Sequence, residues 1–255
     1  MIKLHKGFTL IELLLSMVFG LIVLSGVTYI YVAVVGSSAS TLKSSKLNTE
    51  LMTIMSVMTN DVRRAGYWAN TADLASENPF QQLGVSALTV VNSSSSNTQI
   101  TDDSSVDGEC LLYSYDLDED GELGLGTEFF GFRLNAGAIE MRVTSTITEG
   151  DNCNDGSWEQ ISDPDLYTVN SLAFNRQNSA CVNTSEPDGI DNDGVDGIDN
   201  DGERDCYDVT PETLDVTVET REINITISAS LVNDTEVNHT VSETVRVRND
   251  LVRVR

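Results

Sequence analysis

The stretch MIKLHKGFTLIELLLSMVFGLIVLSGVTYIYVAVV, Met1 to Val35, decides the fold of this chain. Met1–Gly7 is a short leader that carries Lys3 and Lys6 and ends in glycine. Phe8 to Val35 is then an apolar run of 28 residues whose one charge is Glu12. As a helix, such a run exceeds the roughly 20 residues needed to cross a bilayer. The lysines precede it, which keeps the leader cytoplasmic and sends the C-terminal bulk across the membrane. An ordinary secretory signal is cut after its apolar core. Here the small residue suited to cleavage, Gly7, stands before the core, so a cut at Gly7–Phe8 leaves the apolar helix on the mature protein.

Lys6-Gly7-Phe8-Thr9-Leu10-Ile11-Glu12-Leu13 resembles the class III signal of type IV prepilins and pseudopilins. The resemblance implies a prepilin peptidase that cuts after Gly7 and methylates the new amine of Phe8. It also implies a part in assembly for Glu12, the fifth residue of the mature chain. A carboxylate in hydrocarbon costs about 2.5–3.5 kcal/mol on insertion scales, so Glu12 needs a partner. In a filament that partner is the N-terminal ammonium of a neighbouring subunit, and the pair fixes register because misplacing it leaves buried charge unpaired. The bland alternative is a plain single-span anchor with an incidental glutamate.

A chain of 255 residues supports this helix and one globular domain of about 190 residues. Cys110, Cys153, Cys181 and Cys206 all lie in the part expected to be exported, so an even set reads as two disulfides. Three connectivities are open, and Cys110–Cys153 with Cys181–Cys206 is the working pairing. Zinc is not expected, since there is no Cys-x-x-Cys and both His5 and His239 are isolated. The net charge of −25, which becomes −27 without Lys3 and Lys6, argues against nucleic acid as a partner. Arg246, Arg248, Arg253 and Arg255 read as the solvated face of a terminal strand.

The helix continues beyond the membrane segment. Leu47, Leu51, Ile54, Met55, Met58, Val62 and Ala65 form one buried stripe, and Asn48, Glu50, Thr53, Asn60, Arg63 and Arg64 the polar face. Gly66 is a C-terminal stop. The chain therefore divides into a leader (1–7), an apolar helix (8–36), an amphipathic helix (37–66) and a β-rich domain (67–255). Strand-like runs occur at Ala87–Asn92, Cys110–Tyr115, Glu128–Leu134, Ala138–Thr146 and Leu166–Arg176. The cleanest is Ile223, Ile225, Ile227, Ala229 and Leu231 alternating with polar residues, a turn at Asn233-Asp234, and a return along Val237–Val247. The fold class is α+β: a long N-terminal helix packed on one antiparallel sheet, as in type IV pilins.

Met58–Trp68 resembles the end of the long helix in PilW-type minor pilins, and Val245-Arg246-Val247-Arg248-Asn249 is similar to the closing strand of that group and of J-type pseudopilins of type II secretion. These resemblances imply a non-enzymatic minor pilin that primes or supports pilus assembly. They place it in the inner membrane, domain in the periplasm, and then in the surface pilus. The implied partners are other minor and major pilins, the prepilin peptidase and the inner-membrane assembly platform. The rival readings are a J-type pseudopilin and a calcium-dependent surface-binding subunit.

Two acidic loops, 116–128 and 186–206, suggest calcium. Asp116, Asp118 and Asp120 offer oxygens at alternate positions, Gly121 permits a turn, and Glu122 offers its carbonyl, as an EF-hand loop begins. Its twelfth position is Thr127, with Glu128 one residue late. The second loop is a direct repeat, Asp188–Val195 and Asp196–Glu203, followed by Asp205. Seven aspartates in eighteen residues would ordinarily give disorder through repulsion. The regular glycines, and Ile190 and Ile198 read as buried, argue for a loop wound round cations. It resembles the calcium repeats of thrombospondin type 3, with Asp188, Asp191, Asp193, Asp196, Asp199, Asp201 and Asp205 as ligands and Val195 where a third ligand would fall. The alternatives are a solvated acidic hairpin and a flexible spacer. No grouping suggests catalysis.

Overall fold

A computed structural model describes residues 7, 9–70, 77–81, 88–92, 98–100, 105–124, 126–144, 152–195 and 197–255. It contains two compact units, Met1–Lys46 and Leu47–Arg255. Helix α1, Leu10–Val62, supplies nearly all of the first unit and the first element of the second. In the first unit the side chains from Leu10 to Val35 are exposed, and the segment is apolar and long enough to cross a membrane. A helix apolar on every face needs a hydrocarbon or protein surround.

In the second unit Leu47, Leu51, Ile54, Met55, Met58 and Val62 are buried, the stripe read from the sequence. They pack into one core with strands of two antiparallel sheets. The larger sheet runs β2-β1-β3-β4-β5-β6, where β1 is Thr89–Asn92, β2 Thr98–Ile100, β3 Cys110–Ser114, β4 Phe129–Asn135, β5 Ala138–Thr144 and β6 Ser157–Gln160. The second runs β11-β10-β7, with β7 Tyr167–Asn175, β10 Glu222–Leu231 and β11 Asp234–Arg246. Alternation along β10 puts Ile223, Ile225, Ile227 and Ala229 fully inside.

The sequence suggests one sheet, whereas among the described residues the strands form three. A small sheet, β12-β9-β8, joins Leu251–Val254, Val216–Thr220 and Ala180–Asn183. Its origin is a corner at Arg221, the single residue between β9 and β10. The Arg221 guanidinium is buried there and donates through Nη2 to the Asn249 carbonyl at 2.8 Å, tying this corner to the one between β11 and β12. Both expected disulfides form, Cys110–Cys153 and Cys181–Cys206. The first belongs to a small second core with Val91 and Leu112, against which Trp158 packs. The second closes the base of the 186–206 loop, since β8 precedes it and Cys206 follows.

The stop at Gly66 is built into the sheet. Gly66 has φ +70°, and a Cβ there would lie 2.5 Å from Gln81 Nε2. Its amide donates to the Ser114 carbonyl at 2.8 Å, and its carbonyl accepts from Asn78 Nδ2 and Gln81 Nε2. Carbonyls left open at the helix end are taken up by the closing strand. The Arg248 amide donates to the Arg63 carbonyl, and Asn249 Nδ2 to the Ala65 carbonyl, each at 3.2 Å. Met58–Trp68 and Val245–Asn249 thus meet at one joint.

Candidate functional site

At the start of α1, Gly7 is exposed, and Phe8 lies outside the described residues. Thr9 and Glu12 cap the helix reciprocally. Glu12 Oε2 accepts from the Thr9 amide and hydroxyl, both at 3.0 Å, while the Glu12 amide donates to Thr9 Oγ1 at 3.3 Å. This is a capping box, in which two open amide donors of the first turn are satisfied by side chains. Glu12 therefore holds the helix start in the single chain, a role the sequence reading left out although Thr-x-x-Glu was visible.

In the loop between β3 and β4, Asp116 and Glu128 are buried to 2% and 1% exposure. Asp118 joins them, the three offering carboxylate oxygens within 4.8 Å of one another, an arrangement that can hold a metal ion. Asp116 Oδ2 accepts from the amides of Ala69 and Gly121, at 3.0 and 3.1 Å, while Oδ1 is buried with no hydrogen-bond partner. Glu128 accepts from the Leu117 and Gly124 amides and so closes the loop. Two buried carboxylates side by side are costly without a counter-charge. Asp120 and Glu122 stand apart from this group and are exposed. Asp120 takes up the Glu122 amide at 2.8 Å instead. The first loop is thus tied at its end by Glu128, and Asp120 is not among its converging carboxylates.

The second loop holds two overlapping groups, Glu186 with Asp199 and Glu203, and Asp191 with Asp193 and Glu203. Asp199, at φ +59°, accepts from the Gly189 amide at 2.9 Å, which folds the second repeat back on the first. Asn200 caps the 3-10 turn Asp201–Arg204 by accepting from the Gly202 amide, and donates to Asp193. Glu203, at 2% exposure, accepts from the Asn192 amide at 2.8 Å through Oε1, and its Oε2 is buried without a partner. Desolvation, with the charges of Asp188 and Glu203, holds Glu186 above its ordinary pKa. Asp188, Asp201 and Asp205 fall outside both groups, and Asp196 lies outside the described residues. Asp188 and Asp205 instead bind the amides two residues on, of Ile190 and Tyr207. Ile190 and Ile198, expected inside, are 48% and 63% exposed, because the loop turns around its own carboxylates rather than an apolar centre. Glu186 and Glu203 were not singled out in the sequence; Glu203 was legible only as the residue ending the repeat.

Beside Asp116 opens a cavity of 310 Å³ lined by Arg63, Arg64, Tyr67, Tyr115, Arg248 and Asn249 among others. Arg64 lies 4.2 Å above the Tyr115 ring and pairs with Asp61 at 2.5 Å. Asp61 also accepts from Tyr113 at 2.5 Å and Tyr115 at 3.1 Å, so the acidic end of α1 is neutralised from within.

Among known proteins, the family model described as "Prepilin peptidase-dependent protein B" matches residues 40–247. That span excludes the Gly7–Glu12 segment, so the helix start and the domain speak separately. No curated protein and no solved structure matches the chain.

Proposed function

Because this chain belongs to the family of prepilin peptidase-dependent protein B, we propose that it is a minor pilin that primes or supports type IV pilus assembly. The observation that carries this reading is the exposed apolar helix beginning at the Thr9–Glu12 cap, preceded by a glycine-ended basic leader. Cleavage after Gly7 frees the Phe8 amine, which then receives a methyl group from a separate methyl donor, and Thr9 becomes the second residue of the mature chain. Phe8–Val35 spans the inner membrane with the domain in the periplasm, then enters the filament core beside other minor and major pilins. Glu12 exchanges its Thr9 contacts for the ammonium of a neighbour as it leaves lipid, because a buried carboxylate gains most from a charged partner. The role is structural rather than enzymatic.

The rival is a J-type pseudopilin, and one experiment separates the two. In a strain with both systems, Glu12→Val should insert normally and reduce surface pili several-fold while type II secretion is unchanged. Unaltered piliation, or a secretion defect alone, would overturn the proposal. The ion we assign to both acidic loops is calcium. Flexible oxygen-only groups suit it, with an affinity on the order of 10⁻⁴–10⁻³ M as in extracellular modules. Titration beside magnesium at matched ionic strength tests this, and equal response to both ions would reduce it to charge screening.

A further inference from the structure

Glu203 belongs to both carboxylate groups of the 186–206 loop, on one side with Glu186 and Asp199, on the other with Asp191 and Asp193. We propose that Glu203 bridges two divalent cations, so that this loop folds around a calcium pair; the proposal rests on the calcium reading above. Three observations converge on it.

First, the Glu203 carboxylate is buried, yet only Oε1 has a partner, the Asn192 amide, while Oε2 has none. A carboxylate has about four acceptor positions. One amide leaves room for a metal on each oxygen. Second, the unshared members of the two groups are positioned by separate contacts. Asp191 accepts from the Gly194 amide at 2.7 Å and Asp193 from the Val195 amide at 2.8 Å, within the first repeat. Asp199 belongs to the second repeat and reaches Glu186 by way of its bond to Gly189. Each set offers its oxygens within 4.8 Å of one another, so two ions can use each set where it stands. Third, the charge favours it. Residues 186–206 carry nine carboxylates against one arginine, Arg204. A single dication in either group would leave the carboxylates of the other uncompensated beside buried Glu203. Five carboxylates around two dications come close to neutrality, and backbone carbonyls can complete each shell of six to eight oxygens.

The test is calcium stoichiometry by equilibrium dialysis of the full chain in detergent, with the Cys181–Cys206 bond intact. Wild type should take three ions, one in the 116–128 loop and two in the 186–206 loop. Glu203→Gln keeps the acceptor for Asn192 and should lower the count by two. Asp191→Asn with Asp193→Asn should lower it by one, as should Glu186→Gln with Asp199→Asn. Glu128→Gln should remove only the ion of the first loop. Loss of one ion or none in Glu203→Gln, or a wild-type second loop holding one ion, overturns the bridge while leaving calcium binding in place. No calcium on wild type at millimolar concentration overturns the calcium reading itself. Should Glu203→Gln misfold, the two paired variants still decide. Removal of both ions, or of none, by either of them contradicts the arrangement.

Discussion

Asp61→Ala should destabilise the domain by about 1–3 kcal/mol, although Asp61 touches no candidate ligand. Its carboxylate sits in the last turn of α1, where the helix dipole disfavours an anion by about 0.3–1 kcal/mol. It is kept there by Tyr113, Tyr115 and Arg64. Tyr113 is 1% exposed, so losing its acceptor leaves a buried hydroxyl unmet, at a cost of about 1–3 kcal/mol. Tyr115 keeps a partner in Arg64, and the Arg64 side chain is half exposed, so that ion pair adds only about 0–1 kcal/mol. The sum corresponds to a fall in Tm of roughly 2–12 °C for a domain of this size. Urea unfolding of residues 37–255, with Tyr113→Phe as the second arm of a double-mutant cycle, isolates the central bond. Tyr113→Phe should cost about 1.5–3 kcal/mol in wild type but restore about 1–2 kcal/mol once Asp61 is gone, because it then removes the unmet hydroxyl. Additive costs, or a loss below about 0.5 kcal/mol for Asp61→Ala, would refute the neutralised helix end.

Other outcomes follow from the same structure. Arg176→Met should cost about 1.5–3 kcal/mol, as urea unfolding would show, because Glu219 loses its ion pair yet keeps Tyr207 and the nearby Arg221 and Arg253. Arg221→Met should cost far less. Burial and the nearby Arg176 and Arg253 already push its guanidinium down to about 10, and among the described residues it hydrogen-bonds only the Asn249 carbonyl. Burial raises Tyr113, Tyr115 and Tyr207, and lifts Tyr167 to about 12. The folded state therefore holds these protons more tightly than the unfolded chain does. Their contribution is complete below pH ~10 and falls away as pH climbs toward 12. Absorbance at alkaline pH should show these four ionising together with unfolding, and early ionisation would contradict the burial. Saturating calcium at about 100 times its Kd should add about 2.7 kcal/mol per occupied site, and a chelator should remove it, as a calorimetric scan would record.

The parts of the fold that sequence makes legible are those with a local period. Leu47 to Val62 repeats at helical spacing, Ile223 to Leu231 alternates, and Gly66 can adopt φ +70° where other residues strain. Strands β8, β9 and β12 have four or five residues each and owe their pairing to the corner at Arg221, which no local pattern announces. The acidic loops are visible as composition, but their ligand groups are not. Asp116, Asp118 and Glu128 converge because Glu128 gathers the Leu117 and Gly124 amides, and Glu203 is brought in by a 3-10 turn. Alternating aspartates such as Asp120 spend their oxygens on nearby amides instead.

The central claim is that this chain is processed and built into pili through its N-terminal helix. It is tested most directly by mass spectrometry of pili sheared from cells and freed of membranes. The chain should be present at a small fraction of the major subunit, with an N-terminal peptide that begins at methylated Phe8 and contains Glu12. Its absence from washed filaments, or an N-terminus that retains Met1–Gly7, would contradict the account.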